Sequence, residues 1–357
     1  MNATSLAILQ AVNALPTGAA VSDLLVADQD RTTLYRRLKS LIGDGLIQPS
    51  GQGRWTRYAL TQAGKAALGS QYFEQPPHLR APARFNPRVL DEYIPNTTRY
   101  LDWDVSAGLQ SLARLDVSVS QRLLEAFLID LSFASSKMEG STLSWLETTA
   151  LIEYGDTAGK DYESVTLVLA HKDAIRHLID NRLSLSTRDV KDLHALVSKG
   201  VFPSDASRGK LRERLVSISG STYSPSDVPS VTREAFEQFC EKAQRIDDPL
   251  EAAVFTMLFI PYIQPFEDAN KRTSRIAMNI PLLGGNLCPF SFTHLSPQVY
   301  LRSMIAFYEL NDPSPAVACF NDGYRKGLER FPELRARVEE HDLSADGEGP
   351  PSDGWKV

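Results

Sequence analysis

Ile263-Gln264-Pro265-Phe266-Glu267-Asp268-Ala269-Asn270-Lys271-Arg272-Thr273-Ser274-Arg275 is a charged stretch set between two apolar ones. Ahead of it, Leu250 to Ile263 is apolar almost all round, with Val254, Phe255, Met257, Leu258, Phe259 and Ile260. That pattern predicts a helix buried on every face. Behind it, Ile276, Ala277, Met278, Ile280, Leu282 and Leu283 predict a second buried helix, bent at Pro281. Two carboxylates, two amides and three cations therefore lie between core helices, where charge is costly unless something satisfies it.

Such a loop has a physical use. Pro265 ends the first helix, and the next is expected to start near Asn270. The first N–H groups of a helix lack intrahelical partners, and its dipole is positive there, so this end suits an anion, phosphate above all. Lys271, Arg272 and Arg275 add positive charge, with Arg272 and Arg275 at i and i+3 on one face. Glu267 or Asp268 could hold a hard cation such as magnesium beside that phosphate. On composition alone, a salt-bridged loop capping a buried helix is an equal alternative.

The order of the residues goes further. The stretch resembles the signature of the Fic (Fido) family, His-Pro-Phe-x-Asp/Glu-Gly-Asn-Gly-Arg-x-x-Arg, with Pro265, Phe266, Asp268, Asn270, Arg272 and Arg275 on the matching positions. The resemblance implies a protein that transfers AMP, or a related phosphate-linked group, from a nucleotide such as ATP to a hydroxyl of a target protein. It implies magnesium at Asp268, and phosphates held by Asn270, Arg272 and Arg275 with Lys271 beside them. Three positions depart from the signature. Ala269 and Lys271 replace glycines, which alters how closely backbone can approach phosphate. Gln264 stands where the family has its catalytic histidine. An amide offers a carbonyl acceptor and an NH₂ donor but no basic nitrogen, and a general base contributes about 10²–10⁴ in rate. Nucleotide binding does not need that base, so binding is expected to outlast transfer.

Upstream, Gln121 to Met138 predicts a strong amphipathic helix stopped at Gly140. Read alone, its end is a plain C-cap with an exposed Glu139. By resemblance, Ser135-x-x-x-Glu139-Gly140 fits the Fic inhibitory pattern, in which the glutamate pairs with the second motif arginine, here Arg275, and obstructs the γ-phosphate position. His171, His177 and His194 fall on predicted helices and are expected to be packed or solvated rather than ligands. Val216 and Ile218 alternate ahead of Gly220-Ser221, with Tyr223 beyond, which predicts a hairpin. This resembles the Fic flap, where a target segment adds by strand pairing; a two-stranded excursion with only a packing role is the alternative.

Residues 4–68 predict a winged helix. A first helix through Leu6, Leu9 and Val12 breaks at Pro16-Thr17-Gly18, a short second spans Val21 to Val26, and Arg31 to Ile42 is an amphipathic third. A strand at Leu46-Ile47, a tight turn at Gln52-Gly53 and a return from Arg54 to Leu60 form the wing. The module resembles those of bacterial regulators, which places Arg31, Thr32, Thr33, Tyr35, Arg36 and Arg37, with Arg54 and Arg57 of the wing, toward duplex DNA. Homodimerisation, or docking onto the second domain, is the other use of such a module. Charge favours the first: residues 1–70 hold seven Lys/Arg against four Asp/Glu, net +3, while the whole chain is −6.

The chain thus reads as a mainly α protein: winged helix-turn-helix over 1–70, Pro-rich linker and docking segment over 71–104, all-α Fic domain with a small hairpin flap over 105–335, and a disordered tail over 336–357. Hydrophobic content of 43 % is ordinary for a soluble chain, and no run is long enough to span a membrane. No signal peptide is apparent, and three scattered cysteines make neither a disulfide framework nor a zinc site, so a reducing cytoplasm is the expected compartment. Two functions stand: an AMP-transferring enzyme held off by Glu139 and hampered by Gln264, or a DNA-bound regulator whose Fic site senses a nucleotide without catalysis.

Overall fold

The chain folds from its N-terminus as α1 (Ala3–Asn13), a 3₁₀ turn at Val21–Leu24, and α2 (Arg31–Gly43). A two-stranded antiparallel hairpin follows, β1 (Ile47–Ser50) and β2 (Arg57–Leu60), and then α3 (Gln62–Tyr72). This computed structural model describes residues 3–13, 15, 18–25, 30–115, 121–202 and 205–345. Asp30 caps α2 by accepting from Thr33 N–H at 3.3 Å, and Leu34, Leu38 and Leu41 turn inward from its other face. Leu9, Val12, Leu24 and Ile47 complete one small core. The second helix is thus a single 3₁₀ turn, and Val26 lies outside the described residues, as do Pro16 and Thr17. The wing also differs in detail. Gly53–Trp55 make a 3₁₀ turn and the return strand begins at Arg57, not Arg54. Gly51 sits at φ 79°, and a Cβ there would meet the Trp55 carbonyl oxygen at 2.7 Å, so the turn requires glycine.

The linker is ordered against the rest of the chain. β3 (Ala83–Arg84) and α4 (Pro87–Asp91) lead to Tyr93 and Leu101, both buried. The buried Glu251 carboxylate accepts from Tyr93 OH, Tyr100 N–H and Leu101 N–H at 2.8–2.9 Å. Lys242 Nζ donates to the carbonyls of Leu90, Asp91 and Tyr93, closing the C-terminal end of α4.

The remaining chain is helical: α5 (Trp103–Ala113), α6 (Gln121–Met138), α7 (Trp145–Tyr154), α8 (Tyr162–Asp180) and α9 (Thr187–Val197). After the two-residue strand β4 (Tyr223–Ser224) come α10 (Pro229–Gln244), α11 (Pro249–Ile263), α12 (Asn270–Ala277), α13 (Asn279–Gly284), α14 (Pro297–Leu310) and α15 (Ser314–Ala345). The fold is mainly α with one small antiparallel hairpin. As the apolar run predicts, α11 is buried from Leu250 to Ile263, with α10, α12, α13 and α14 around it. The next helix breaks at Met278, ahead of Pro281, which has no N–H to give the carbonyl one turn back. α15 continues to Ala345, into the stretch expected as tail; residues 346–357 lie outside the described residues.

The segment from Val216 to Tyr223 turns at Gly220, where φ is 76° and Ser221 N–H donates to Ile218 O. Its strand pairing differs from the expected hairpin. Tyr223–Ser224 pairs in parallel with Ala83–Arg84 of the linker. The groups that would bond across a hairpin have tertiary partners instead. Arg80 Nη2 donates to Gly220 O at 2.8 Å, and Glu309 accepts from Ser221 Oγ and Thr222 N–H at 2.6 and 2.9 Å. Ile218 and Tyr223 are buried, and Tyr223 OH donates to Tyr262 O at 2.6 Å; Val216 is half-buried.

Glu309 also accepts from Tyr72 OH at 2.5 Å and lies 3.1 Å from Arg80 Nη1, and both charged side chains are almost fully buried. One carboxylate thus ties α3, the linker, the Gly220 turn and α14 together. Removing it would leave the Arg80 charge buried and unpaired, so Glu309→Ala is expected to lower unfolding free energy by ~3–5 kcal/mol in urea titrations. Glu241→Ala, from a solvent-exposed pair with Arg245, should cost about 1 kcal/mol or less. Equal losses from the two would contradict the role given to Glu309.

Candidate functional site

The charged loop is built by two left-handed residues. Gln264 ends α11 at φ 51°, and Ala269 precedes α12 at φ 59°. Glycine adopts this conformation freely, whereas alanine bears a cost of about 1–2 kcal/mol, so the Ala269 position is one where the surroundings impose the backbone. The first intrahelical bond of α12 is Thr273 N–H to Ala269 O at 2.8 Å, which leaves the N–H groups of Asn270, Lys271 and Arg272 ahead of it.

Asn270 closes the loop. Its Oδ1 accepts from Phe266 N–H at 3.0 Å, and its Nδ2 donates to Phe266 O and to Gln264 Oε1, both at 2.9 Å. Gln264 Nε2 donates to Pro261 O at 2.8 Å. Both ends of the Gln264 amide are therefore bonded within the protein, and the residue is 7 % exposed. The acceptor and donor that the amide offers are thus used to brace the loop. The Asn270 side chain is likewise taken, so its backbone N–H is what it can offer an anion.

Two residues that sequence reasoning did not assign to the site hold this loop from outside. Arg212, 3 % exposed, receives the loop backbone: its N–H donates to Pro265 O at 2.9 Å and its Nε to Gln264 O at 2.5 Å. Its Nη2 is anchored on Ser226 O and Thr232 Oγ1. His194 stacks on Phe266 with centroids 3.7 Å apart and planes 8° apart. Its Nδ1 accepts from Gly209 N–H at 2.9 Å, which makes Nε2 the N–H that donates to Asp268 O at 3.1 Å. Burial pushes its pKa down to about 4, against the smaller opposing effect of the Asp268 carbonyl, so the ring is neutral. Neither role has a sequence signal, because each partner is a backbone carbonyl brought near by folding.

The charged groups separate into two sets. Asp268 is exposed at the mouth of α12, its Oδ1 3.3 Å from Arg272 Nη2. Glu267 and Lys271 are half-buried. Arg272 is 6 % exposed, and its Nε is a buried donor without a partner among the described residues. Arg275 lies deeper, 1 % exposed, and its guanidinium meets the end of α6. Nη2 bonds Glu139 Oε1 at 2.7 Å, and Nε donates to Ser135 Oγ at 2.8 Å. Burial would raise the Glu139 carboxyl, but Arg275, Lys271 and Arg272 outweigh it and hold its pKa down at about 2. Gly140 carries φ 98° just beyond, ending the α6 segment so that Glu139 stays beside Arg275. Among the described residues no group of three or more His, Cys, Asp or Glu could hold a metal unaided.

On the N-terminal module, Arg31, Thr32, Tyr35 and Arg36 are exposed along α2, while Thr33 and Arg37 are half-buried. Arg54 is exposed and lies over the Trp55 ring at 5.0 Å, and Arg57 is half-buried in β2.

Comparison with known proteins covers part of this region. Residues 184–282 match the model of the Fic/DOC family. The Caenorhabditis elegans protein adenylyltransferase fic-1 is 27 % identical over 159 residues, 43 % of this chain and 31 % of that protein. A Nematostella vectensis protein adenylyltransferase Fic is 27 % identical over 163 residues, 44 % of this chain and 38 % of its own length. The chain spans about a third of the length of these curated relatives. Among solved structures, Fic-1 from C. elegans superposes with a TM-score of 0.53 at 17 % identity, covering 88 % of this chain and 80 % of that one. A Fic family protein from Desulfovibrio desulfuricans G20 gives 0.54 at 19 %, covering 66 % and 77 %. The two motif arginines, their loop and α12 all fall inside the matched residues: over residues 184–282 the chain carries a Fic domain.

Proposed function

We propose that this site binds the triphosphate of a nucleotide, ATP being the reference ligand, at the N-terminus of α12, and that the resting protein is held from doing so fully by Glu139. The Glu139–Arg275 pair at 2.7 Å carries the reading. A carboxylate on that guanidinium occupies the place where a terminal phosphate oxygen would bind, and the two anions compete for one buried cation. The unpartnered Nε of Arg272 and the N–H groups ahead of Thr273 are further donors for the same phosphates. Magnesium fits the exposed Asp268 carboxylate, since that ion is commonly held by one or two carboxylates plus the phosphates of its ligand. When bound it would neutralise phosphate charge.

The curated relatives are protein adenylyltransferases, and the reaction class proposed here is theirs. A target hydroxyl would attack the α-phosphorus, forming a new P–O bond while the bond to pyrophosphate breaks, and the hydroxyl proton must go to a base. Gln264 has no basic nitrogen, and its amide is bonded to Pro261 O and Asn270. His194, neutral and bonded at both nitrogens, does not replace it. Transfer by this chain is therefore proposed to be impaired at the proton-transfer step, with Glu139 a separate block. A target segment would meet Gly220 to Ser224, where one strand edge already pairs with Ala83–Arg84.

A second reading rests on a different observation, the exposed Arg31 and Arg36 of α2 beside the Arg54–Trp55 wing. We propose duplex DNA as the partner of that face, with the Fic site acting as a nucleotide sensor.

Glu139→Gly is expected to tighten Mg·ATP binding by about tenfold or more, as a charged hydrogen bond is exchanged for one to phosphate. Calorimetric titration checks this, and unchanged affinity would remove the inhibitory role. With labelled ATP, Gln264→His with Glu139→Gly should exceed Glu139→Gly alone in protein labelling by about 10²–10⁴. Equal labelling would mean that the missing base is not limiting. Affinity for duplex DNA should fall steeply with salt, and Arg31→Ala with Arg36→Ala should flatten the slope by about two units. A slope unaffected by those changes would assign the face to another use.

A further inference from the structure

Arg275 is held by more than Glu139. Its Nε donates to Ser135 Oγ at 2.8 Å and its Nη2 also faces Ser135 O at 3.3 Å. The Ser135 hydroxyl in turn lies 2.8 Å from Nε2 of His171 on α8, a ring with no exposed surface. The direction of each bond in this chain follows from the carbonyl at its far end. His171 Nδ1 stands 2.8 Å from Leu167 O, which can only accept, so Nδ1 carries the proton. Ser136 Oγ, at 3.3 Å, is a weaker neighbour of the same nitrogen. In a neutral imidazole, Nε2 is then an acceptor. Ser135 must give its O–H to Nε2, which turns its lone pairs toward Arg275 Nε–H. Burial and the nearby Arg272 and Arg275 push the ring's pKa down to about 3, so this arrangement does not change across ordinary pH.

We infer that His171 is a positioning residue for Arg275: through Ser135 it keeps the guanidinium in place when Glu139 lets go. The bond to Ser135 uses Nε and is independent of the Glu139 bond on Nη2. Loss of the carboxylate therefore leaves Nη2 with only its longer bond to Ser135 O, while the Nε side stays anchored. A buried arginine that lost both partners would need to find new ones, and a preorganised fork avoids that reorganisation. Ser135 is thus assigned a second role. It belongs to the segment that carries the obstructing Glu139, and it also prepares Arg275 for an anion. This rests on the proposed reading of Arg275 as a phosphate ligand, so the test carries one readout with no nucleotide and one with it.

The chain of 357 residues with Glu139→Gly is the parent. Without nucleotide, hydrogen exchange of the Arg275 Nε–H, followed by ¹⁵N NMR, is expected to be slow in the parent. It should be slow also with His171→Gln, whose side-chain carbonyl can accept near the position of Nε2, and fast with His171→Leu or Ser135→Ala. With Mg·ATP, His171→Leu should weaken binding by about tenfold and His171→Gln by less than about threefold. The loss should vanish when Arg275→Ala is present as well. Slow exchange in both His171→Leu and Ser135→Ala would overturn the inference. So would an affinity loss that persists alongside Arg275→Ala, because His171 would then act on the fold and not through Arg275. A parent that does not bind Mg·ATP would overturn the nucleotide reading instead, and the exchange measurement would still decide the role of His171.

Discussion

A guanidinium with 1 % of its surface in water must be satisfied by the protein around it. Arg275 imposes that demand on the centre of the helical domain. Glu139 supplies the opposite charge, Ser135 a hydroxyl and a carbonyl, and Tyr300 the face of a ring 6.0 Å away. The end of α6 is held against α12 by these bonds, and α8 is drawn into the same network through His171. In the proposed reading, the arrangement that stabilises the charge also keeps another anion from it. Burial strengthens both, since in a site of low polarity the pair is worth more and an unpaired partner costs more.

A second buried charge organises the periphery. Glu309 gathers Tyr72, Arg80, Ser221 and Thr222, which come from α3, the linker and the Gly220 turn. Leu310, the next residue, is buried with the core of the N-terminal module. The N-terminal module and the strand at Tyr223–Ser224 are therefore bound to the same turn of α14.

Much of the fold could be read from the chain because it is written in local periodicity. The continuous apolar run of α11 gave a helix buried on all sides, and the alternation of cations with Leu34, Leu38 and Leu41 gave α2 with its inward face. The residues of the charged loop and of Ser135–Gly140 could be picked out by their order and type, and the structure brings Glu139 to Arg275 across 136 positions of sequence. What could not be read is how polar groups are satisfied over long separations. Arg212 supports the loop through backbone carbonyls, which carry no residue identity. The Gln264 amide is held by Asn270 and Pro261, a pairing that residue type alone does not reveal. The pairing of Tyr223–Ser224 with Ala83–Arg84 went unread because two residues are too few to show a strand pattern, and the partner lies in a proline-rich stretch.

The central claim is that Glu139 stands ionised against Arg275 in the resting protein. Carboxyl ¹³C NMR of Glu139 over an acid titration tests it most directly. A depressed pKa means that the pair's contribution to stability is present above the unfolded value and is lost as pH falls through the folded one. The account predicts that the Glu139 carboxyl stays ionised until pH approaches about 2, and that Arg275→Ala returns it upward. Titration of the unmodified chain at the ordinary glutamate value of about 4.3 would contradict it.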